Sequence, residues 1–454
     1  MEEMRILAPN GLLGYGFPKE SFVEGMKREP HVIAVDAGST DPGPYYLGAG
    51  ESFTSSSGVR RDMEILLEAR DRAGIPLIVG SCGGSGATPH LEWMKEIVLD
   101  IAKNKGYEFK MAVIEADISK DFLLESLKKG RIRTFESKKA LTEKDISQST
   151  HIVAQMGVEP IIKALEAGSE VIIAGRAYDP SSMAALPIKE GFDPGLAFHM
   201  GKILECGAIA SVPGSARDCL LGTIYKDSFV VEPMNFERKC TEVSVAAHTL
   251  YEKGNPTHLP GPGGDLLLNH VHFEQINKRS VRVTGSKFVP QDKYTIKLEG
   301  AKPVGFRTIS IAGVRDPIMI GQIDSILNNV TDITKENFDL PESDYRVIYH
   351  IYGKNGVMSD LEPQKRITSH ELGIVIEVIG KTQEIANTIC SSVRSTLLHY
   401  GYPNRIATAG NLALLYSPSD IKMGPVYEFS VYHLMEIEDP CEVFPVKFLD
   451  VRGE

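Results

Sequence analysis

Short runs of consecutive apolar residues alternate with amphipathic segments along the first half of the chain. Four of these runs are rich in Val and Ile: Val32 to Val35, Ile75 to Gly80, Met111 to Ala116 and Glu170 to Gly175. Strands that are apolar on both faces are typical of a parallel sheet covered by helices on both sides. The pattern predicts an α/β domain over residues 1–215, with ligand-binding loops at the carboxyl ends of its strands.

The pattern changes after about residue 215. Shorter strand-like segments joined by turns follow, among them RSVRVTG, KYTIKLEG and ELGIVIEVIG, and the last of these precedes a long amphipathic helix, KTQEIANTICSSVRSTLLHYG. A helix packed on a mostly antiparallel sheet is an α+β arrangement. We therefore expect an α+β domain over residues 216–454, after a boundary near VPGSARD.

Composition narrows the classes of function. The chain has 454 residues and a net charge of −11, which argues against a nucleic-acid partner. Its six cysteines form no C-x-x-C pair, so the sequence predicts reduced thiols and neither a zinc ribbon nor a disulfide framework. The N-terminal segment lacks the basic and apolar regions of a signal peptide, and no apolar run has the roughly 20 residues that a membrane span needs. We expect a cytoplasmic protein without membrane contact.

The first candidate loop follows the run Val32 to Val35. Asp36 comes directly after these buried positions, so its carboxylate is expected to be partly buried and paired. Ser39, Thr40 and Asp41 follow, and they could supply hydroxyl donors and a second acid at the strand end. Asp41 stands before Pro42-Gly43-Pro44, where turn formation is an equally good explanation. Asp36 is therefore the preferred general acid or base, and Asp41 a second candidate.

A second loop joins the run Ile75 to Gly80 to a helix that we expect to start with Thr88 as its cap and Pro89 in its first turn. Gly83, Gly84, Ser85 and Gly86 could turn backbone N–H groups toward a phosphate or carboxylate. The alternative is that the glycines only permit tight packing of the helix on the sheet. Cys82 or Ser85 could also act as a nucleophile, although a buried unreactive cysteine is the commoner case.

A third group of candidates consists of one arginine and two acids. Arg176 and Asp179 follow the run Glu170 to Gly175, and Glu205 comes later in the chain. Arg176 could hold a substrate carboxylate or phosphate, or could form a structural ion pair with Asp36 or Asp179. Glu205 ends a predicted helix, where its charge opposes the helix dipole and needs a partner; it is the third candidate acid or base. His270 and His272 match no metal-binding spacing, so no metal site is predicted, and the cofactor stays unknown.

Several stretches together resemble the acyclic terpene utilisation family, AtuA: IAVDAGSTDPGPYYLGAG, GSCGGSGATPH, GRAYDPSS through HMGKILECGA, HTLYEKGNPTHLPGPGGDL and SPSDIKMGPVYEFSVYHL. The resemblance implies a link to the degradation of branched terpenoid acids as CoA thioesters. Family members also occur widely outside that pathway, frequently beside a small partner protein. The chain reads GAGESFTSSSGVRRD where the terpene-cluster members resemble GAGFSGDR, which favours a small carboxylate or acyl-CoA other than a terpenoid.

These observations lead to one expected function and two alternatives. The first is a catabolic lyase or hydratase that acts on a small carboxylic acid or its CoA thioester, with Asp36 as acid or base and Arg176 and the Gly83–Gly86 loop holding the substrate. The second is a ligand-binding or scaffold subunit that needs a small partner protein. The third is a hydrolase using Cys82 or Ser85. We also expect a homo-oligomer.

Overall fold

The computed structural model describes residues 2–135, 139–251 and 254–453. The strands, in chain order, are β1 (Met4–Ala8), β2 (Val32–Asp36), β3 (Leu77–Gly80), β4 (Phe109–Ile114), β5 (Ile132–Thr134), β6 (His151–Ala154), β7 (Val171–Ala174), β8 (Ser211–Val212), β9 (Leu220–Ile224), β10 (Ser228–Pro233), β11 (Lys239–Cys240), β12 (His258–Gly261), β13 (Gly264–Leu267), β14 (His272–Gln275), β15 (Val281–Thr284), β16 (Lys287–Pro290), β17 (Tyr294–Val314), β18 (Tyr345–Tyr352), β19 (Leu372–Gly380), β20 (Ala413–Leu414), β21 (Asp420–Ile437) and β22 (Val446–Val451). The helices are α1 (Lys19–Met26), α2 (Pro44–Ala49), α3 (Ser56–Ala73), α4 (Thr88–Lys105), α5 (Lys120–Lys128), α6 (Glu143–Gln148), α7 (Glu159–Glu166), α8 (Ser181–Lys189), α9 (Pro194–Leu204), α10 (Glu242–Leu250), α11 (Pro317–Gly321), α12 (Ile323–Asn337) and α13 (Gln383–His399).

The chain divides into two compact units. The first contains Met1–Lys302 and Phe429–Glu454, and the second contains Pro303–Glu428. Strands β17 and β21 each begin in one unit and end in the other. The predicted boundary near residue 215 falls inside the first unit, because β9 and β10 belong to the same sheet as β1.

The first unit is built on a ten-stranded mixed sheet with the order β14-β15-β10-β9-β1-β2-β3-β7-β4-β22. Its central strands β1, β2, β3, β7 and β4 are parallel neighbours. Antiparallel pairs β9–β1 and β22–β4 extend the sheet on both sides. This large mixed sheet, with its strand-rich C-terminal region, confirms the predicted α/β fold class.

Alternate residues of the central strands enter two separate cores. In β2, Val32 and Ala34 pack in one core, while Ile33 and Val35 pack in the other. The second core also contains Met63 of α3 and other apolar residues of α3 and α4, whereas α8 and α9 contribute to the first. Since both faces are buried, the strands read as continuous apolar runs.

The second unit packs two helices on one face of a sheet. β17 pairs with β19, and β19 pairs with β18, all antiparallel. Ile374, Ile376 and Val378 alternate along β19 and share a core with Ile389 of α13 and Val330 of α12. This period-2 pattern against an amphipathic helix is the α+β arrangement expected from the sequence of this segment.

Two local expectations from the sequence are wrong. The glycines and prolines after Asp41 favour a flexible loop, but this stretch contains α2, which has Pro44 in its first turn and ends at Gly50 in the left-handed conformation. The sequence predicts a helix from about Val59 to Ala73 with Ser57 as its cap, whereas the cap of α3 is Ser55, whose hydroxyl accepts from the N–H of Gly58. In the described part of the chain, no helix has both the length and the apolar content that a membrane crossing requires.

Candidate active site at the carboxyl ends of the parallel strands

Three neighbouring parallel strands deliver polar side chains to one edge of the first unit's sheet. Asp36 is the last residue of β2, Ser81 follows β3, and Arg176 and Asp179 follow β7. In the sheet β3 lies between β2 and β7, and Asp36 is in register with Gly80. The carboxyl ends of these strands therefore bring together three of the predicted site residues: Asp36, Arg176 and Asp179.

Arg176 is almost fully buried, and its Nε and Nη1 donate to other groups of the protein. Its Nε donates to Oε2 of Glu299 at 2.8 Å, and its Nη1 donates to Oδ1 of Asp179 at 3.1 Å, to Oγ of Ser81 at 3.2 Å and to the carbonyl of Ala177 at 2.9 Å. The two ion pairs match one of the two interpretations left open by the sequence, a structural role. No ion pair joins Arg176 to Asp36 among the described residues.

Glu299, from β17, carries the counter-charge of the site. Its side chain is fully buried, and its Oε1 accepts from Lys297 Nζ at 2.9 Å, Thr40 Oγ1 at 3.1 Å and Gln155 Nε2 at 3.3 Å. Burial alone would raise the pKa of this carboxyl, but Arg176 and Lys297 outweigh it and lower the pKa to about 2. Glu299 is therefore a permanent carboxylate with both oxygens occupied.

The surroundings of Asp36 raise the pKa of its carboxyl group, whereas those of Glu299 lower it. Asp36 is buried, and desolvation together with the nearby charge of Asp179 raises the pKa of its carboxyl well above the usual range. Arg176, the backbone N–H of Gly38 and the hydroxyl of Ser81 oppose this shift but do not cancel it. Two carboxyl groups that share a site cannot both ionise easily. Burial and the charge of Asp179 thus favour the protonated form of Asp36, while Asp179, whose side chain is 28% exposed, pairs with Arg176.

Ser81 adopts a strained backbone conformation at the centre of this cluster. Its φ is +49°, in the left-handed region that side-chain-bearing residues rarely occupy. The buried hydroxyl accepts from Nη1 of Arg176 and from the N–H of Ala177 at 3.3 Å. Strained residues that persist in a fold are concentrated at functional sites.

The glycine loop fits closely against its neighbours. A Cβ on Gly86 would lie 2.1 Å from the backbone N of Arg176, a Cβ on Gly38 would lie 2.5 Å from Cα of Gly84, and a Cβ on Gly83 would lie 2.7 Å from Cβ of His90. The loop thus supports the backbone of Arg176. These contacts favour the packing interpretation of Gly83, Gly84 and Gly86.

The N-terminus of α4 already holds an anionic group of the chain. The cap residue is Ala87, so the prediction of Thr88 as the cap is wrong. Thr88 is the first helical residue, and its N–H and its hydroxyl, the latter at 2.9 Å, both donate to Oδ2 of Asp117. Asp117 therefore occupies the position at which the sequence predicted a phosphate or carboxylate ligand.

Thr40 and Asp41 lie at a cavity beside this cluster. Thr40 is buried and donates to Glu299, whereas Asp41 is exposed. The N–H of Asp41 donates to the hydroxyl of Ser39 at 3.1 Å, the turn geometry that the sequence offered as the alternative. Thr40 and Asp41 line a cavity of about 510 Å³ in the first unit. Asp41 is thus placed to meet a ligand in the cavity.

Glu205 lies at the C-terminal end of α9, as predicted, and is buried. Burial, with the charges of Glu205 and Asp179, raises the pKa of the Tyr178 hydroxyl. The ring of Tyr178 lies beside Gly261. The charges of Glu205 and Asp179 thus both affect Tyr178, and the charge of Asp179 also affects Asp36.

The two predicted nucleophiles are buried. Burial raises the pKa of the Cys82 thiol, and its Sγ donates to the carbonyl of Val79 at 3.7 Å. The hydroxyl of Ser85 has no hydrogen-bond partner among the described residues. A nucleophile needs a thiolate or an adjacent base, so neither side chain has the surroundings of an activated one.

Sequence reasoning missed Ser81, Lys297 and Glu299. In KYTIKLEG, Lys297 and Glu299 alternate with apolar residues and so share one face of β17. A charged pair on one face of a strand whose flanks are apolar is a signal of a buried ion pair. The residues that this charged pair contacts depend on the pairing of β17 with β6, two strands from distant parts of the chain.

Comparison with known proteins adds one family. Residues 55–215, less than half of the chain, match the family model described as acyclic terpene utilisation family protein AtuA. No curated protein and no solved structure matches the chain. The matched segment includes the glycine loop, Arg176, Asp179 and Glu205, whereas Asp36 and Glu299 lie outside it. Over residues 55–215 the chain is AtuA-like, which confirms the resemblance for the two motifs within this segment, GSCGGSGATPH and GRAYDPSS through HMGKILECGA.

Proposed function

We propose that this protein is a catabolic enzyme of the lyase or hydratase class that acts on a small carboxylic acid or its CoA thioester. The AtuA-like segment suggests a role in terpene utilisation and supports catabolism in general. One observation carries the chemical part of the proposal: Asp36 is a buried carboxyl group with a raised pKa beside Asp179 and Arg176. A buried carboxyl group with a raised pKa keeps its proton to a higher pH than an ordinary one and can then act as a general acid.

The acid pair supports elimination or addition of water. In the elimination direction, Asp179 as the carboxylate accepts a proton from the carbon next to the substrate's carbonyl or carboxyl group. A carbon–carbon double bond forms, the bond from the neighbouring carbon to its hydroxyl breaks, and Asp36 gives its proton to the leaving hydroxyl, which departs as water. The proton then passes from Asp179 back to Asp36, which restores the starting state. Addition of water is the reverse, and neither direction needs an oxidant. Arg176 holds Asp179 in place at 3.1 Å.

The test begins with a thermal-shift screen of small carboxylates and CoA thioesters, since a ligand that binds only the folded state raises the melting temperature. Turnover of each hit by the purified chain is then measured by loss or gain of a conjugated double bond. We expect Asp36→Asn to lower kcat by about 10²–10⁴-fold, the usual contribution of general acid catalysis. Asp332→Asn, at an exposed position on α12, is the matched control. Unchanged turnover in Asp36→Asn would refute the assignment.

The same variant separates loss of function from loss of fold. Because the pKa of Asp36 is raised in the folded state, the unfolded chain gains more from ionisation of this carboxyl as the pH rises above about 4, the ordinary aspartate value. Folding is therefore penalised increasingly toward neutral pH. Asparagine cannot ionise, so we expect Asp36→Asn to be at least as stable as the wild type at pH 7. Its advantage should shrink as the pH falls to 4, as measured by urea unfolding.

A ligand-binding or scaffold subunit is the second candidate. The observation that favours it is that Arg176 already donates to Glu299, Asp179, Ser81 and Ala177 and is almost fully buried. A chain that binds a ligand but turns it over only after addition of a co-purified small partner would support this candidate. Turnover by the isolated chain would exclude it.

A further inference from the structure

The proposed reaction gives no role to the cavity beside Thr40. Its walls come from three separate segments of the first unit, and its lining among the described residues consists of Thr40, Asp41, Lys139, Ala140, Asp145, Phe429, Ser430, Tyr432 and His433. Its volume of about 510 Å³ lies in the range of sites that bind small organic molecules. The cavity is therefore large enough for a ligand of several carbons.

Two contacts connect the cavity to the buried charges of the candidate site. Thr40 lines the cavity and donates its hydroxyl to Glu299, the partner of Arg176. The ring of Tyr432 lines it as well and lies 4.2 Å below Nζ of Lys297, which pairs with Glu299. Thr40 is also four residues after Asp36 on the same segment. A ligand in the cavity would thus touch the segment that carries the proposed acid.

Among the described residues that line the cavity, Lys139 is the lysine available to a ligand. Its side chain is 71% exposed, and its Nζ lies 3.4 Å from Oδ1 of Asp145. Asp145 also accepts from Lys302 at 3.4 Å and from the hydroxyl of Thr142 at 2.6 Å. Lys139 can therefore turn toward an anion without leaving Asp145 unpaired. The backbone of Lys139 is fixed, because its carbonyl accepts from Nε2 of His433.

The rest of the lining suits the body of an organic molecule. Phe429, Tyr432 and Ala140 present apolar surface, and Ser430 already hydrogen-bonds to Ser149 at 2.7 Å. We propose that this cavity binds an organic anion, whose charged group pairs with Lys139 and whose apolar body packs against Phe429 and Tyr432. The inference goes beyond the proposed function, since neither Asp36 nor Asp179 is among the described lining residues, and its binding chemistry is tested separately.

The test measures binding of three probes to the full chain by isothermal titration calorimetry: hexanoate, the neutral hexanamide and acetate. We expect hexanoate to bind more tightly than either of the others, since only hexanoate has both the charge and the apolar body. Lys139→Gln should weaken hexanoate binding about tenfold, the effect of losing one charge-assisted contact. Lys144→Gln, which removes a nearby exposed lysine outside the cavity, should leave binding unchanged.

Substitution of Asp41 should change hexanoate binding in the opposite direction to substitution of Lys139. The carboxylate of Asp41 at the cavity repels an anion, so Asp41→Asn should tighten hexanoate binding about two- to fivefold at low salt. For a cationic ligand, by contrast, Lys139→Gln would tighten binding and Asp41→Asn would weaken it. Equal binding of hexanoate and hexanamide, absence of hexanoate binding together with absence of hexanoyl-CoA binding, or no effect of Lys139→Gln would each overturn the proposal.

Two further arms identify the source of the anion and separate the two proposals. Hexanoyl-CoA that binds with the same dependence on Lys139, while free hexanoate does not bind, would assign the site to thioesters. Asp36→Asn should keep hexanoate binding while it loses turnover. If Asp36→Asn loses turnover but hexanoate binding does not depend on Lys139 or Asp41, the proposed binding site is refuted and the proposed reaction is not. If hexanoate binding depends on Lys139 and Asp41 but Asp36→Asn keeps its turnover, the proposed reaction is refuted and the binding site is not.

Discussion

At Glu299, a fully buried carboxylate lies 2.8 Å from Nε of Arg176 and 2.9 Å from Nζ of Lys297. Replacing it with glutamine would remove this counter-charge from Lys297 and would leave Arg176 with Asp179 alone, in a region that excludes water. Removing one partner of a buried ion pair is far more costly than the pair is stabilising, because the remaining charge is desolvated and unpaired. The charge balance of the candidate site therefore depends on one residue that lies outside the AtuA-like segment.

We expect Glu299→Gln to lower the free energy of unfolding by about 3–5 kcal/mol at pH 7. The folded-state pKa of about 2 lies below the ordinary value of 4.5, so this stabilisation is present above pH 4.5 and is lost as the pH falls from 4.5 to 2. Urea unfolding of wild type and variant at pH 7 and pH 3 measures both effects. Glu125→Gln, at an exposed helical pair with Lys129, is the control, and equal stability of Glu299→Gln and wild type at pH 7 would contradict the prediction.

The sequence predicted part of this site for a clear physical reason. Asp36, Arg176 and Asp179 follow apolar runs, and the ends of parallel strands meet at one edge, so their proximity could be inferred. Glu299 is 123 residues from Arg176 along the chain. Its contact depends on how β17 pairs with other strands, which local periodicity does not encode.

Among the elements, the loop between β3 and α4 positions Arg176 through its backbone. Gly86 has φ +65° and touches the backbone of Gly175 and Arg176. Gly74, which ends α3, has nearly the same φ of +64° but has nothing within 4 Å of the position its Cβ would take. The two glycines share the conformational requirement and differ only in the close approach of another segment.

We therefore expect Gly74→Ala to cost about 1–2 kcal/mol of unfolding free energy, the cost of the left-handed conformation alone. Gly86→Ala adds a clash with backbone atoms and should cost clearly more. If the shifted segment carries Arg176 with it, turnover should also fall in Gly86→Ala and stay normal in Gly74→Ala. Denaturant unfolding and turnover of both variants measure this, and equal costs would show that the close approach contributes nothing.

Element boundaries show what sequence patterns capture at this scale. The apolar run Ile75 to Gly80 contains β3, and the helix expected from about Val59 to Ala73 is present as α3. The start of α4 was misplaced because its capping carboxylate, Asp117, comes from a loop 29 residues away. Caps supplied by other segments cannot be recognised from the flanking sequence, since the rules for N-caps are local.

The whole molecule consists of two units, and the second has a core of its own. Helices α12 and α13 cover one face of the sheet formed by β17, β18 and β19. The sequence pattern after residue 215 predicts one α+β domain, but periodicity does not say which sheet a strand joins. Strands β9, β10, β14 and β15 extend the first sheet. The α+β unit described by the structure is Pro303–Glu428.

We expect a polypeptide of residues 303–428 to fold without the rest of the chain, because its apolar residues pack mainly against one another. Circular dichroism should show mixed helix and strand and a single cooperative thermal transition. Ile376→Ala, which removes a buried side chain from β19, should lower the free energy of unfolding by about 2–5 kcal/mol. A non-cooperative melt of the 303–428 polypeptide would contradict the prediction.

The insertion of Pro303–Glu428 into the first unit fixes the order in which that unit can be completed during synthesis. Strand β22 pairs with β4 at the edge of the ten-stranded sheet, yet it emerges from the ribosome only after the whole second unit. Until then β4 presents an open edge, and unpaired edges promote association between chains. A nascent or truncated chain that stops before Val446 should therefore aggregate, or need a chaperone, more readily than the finished protein.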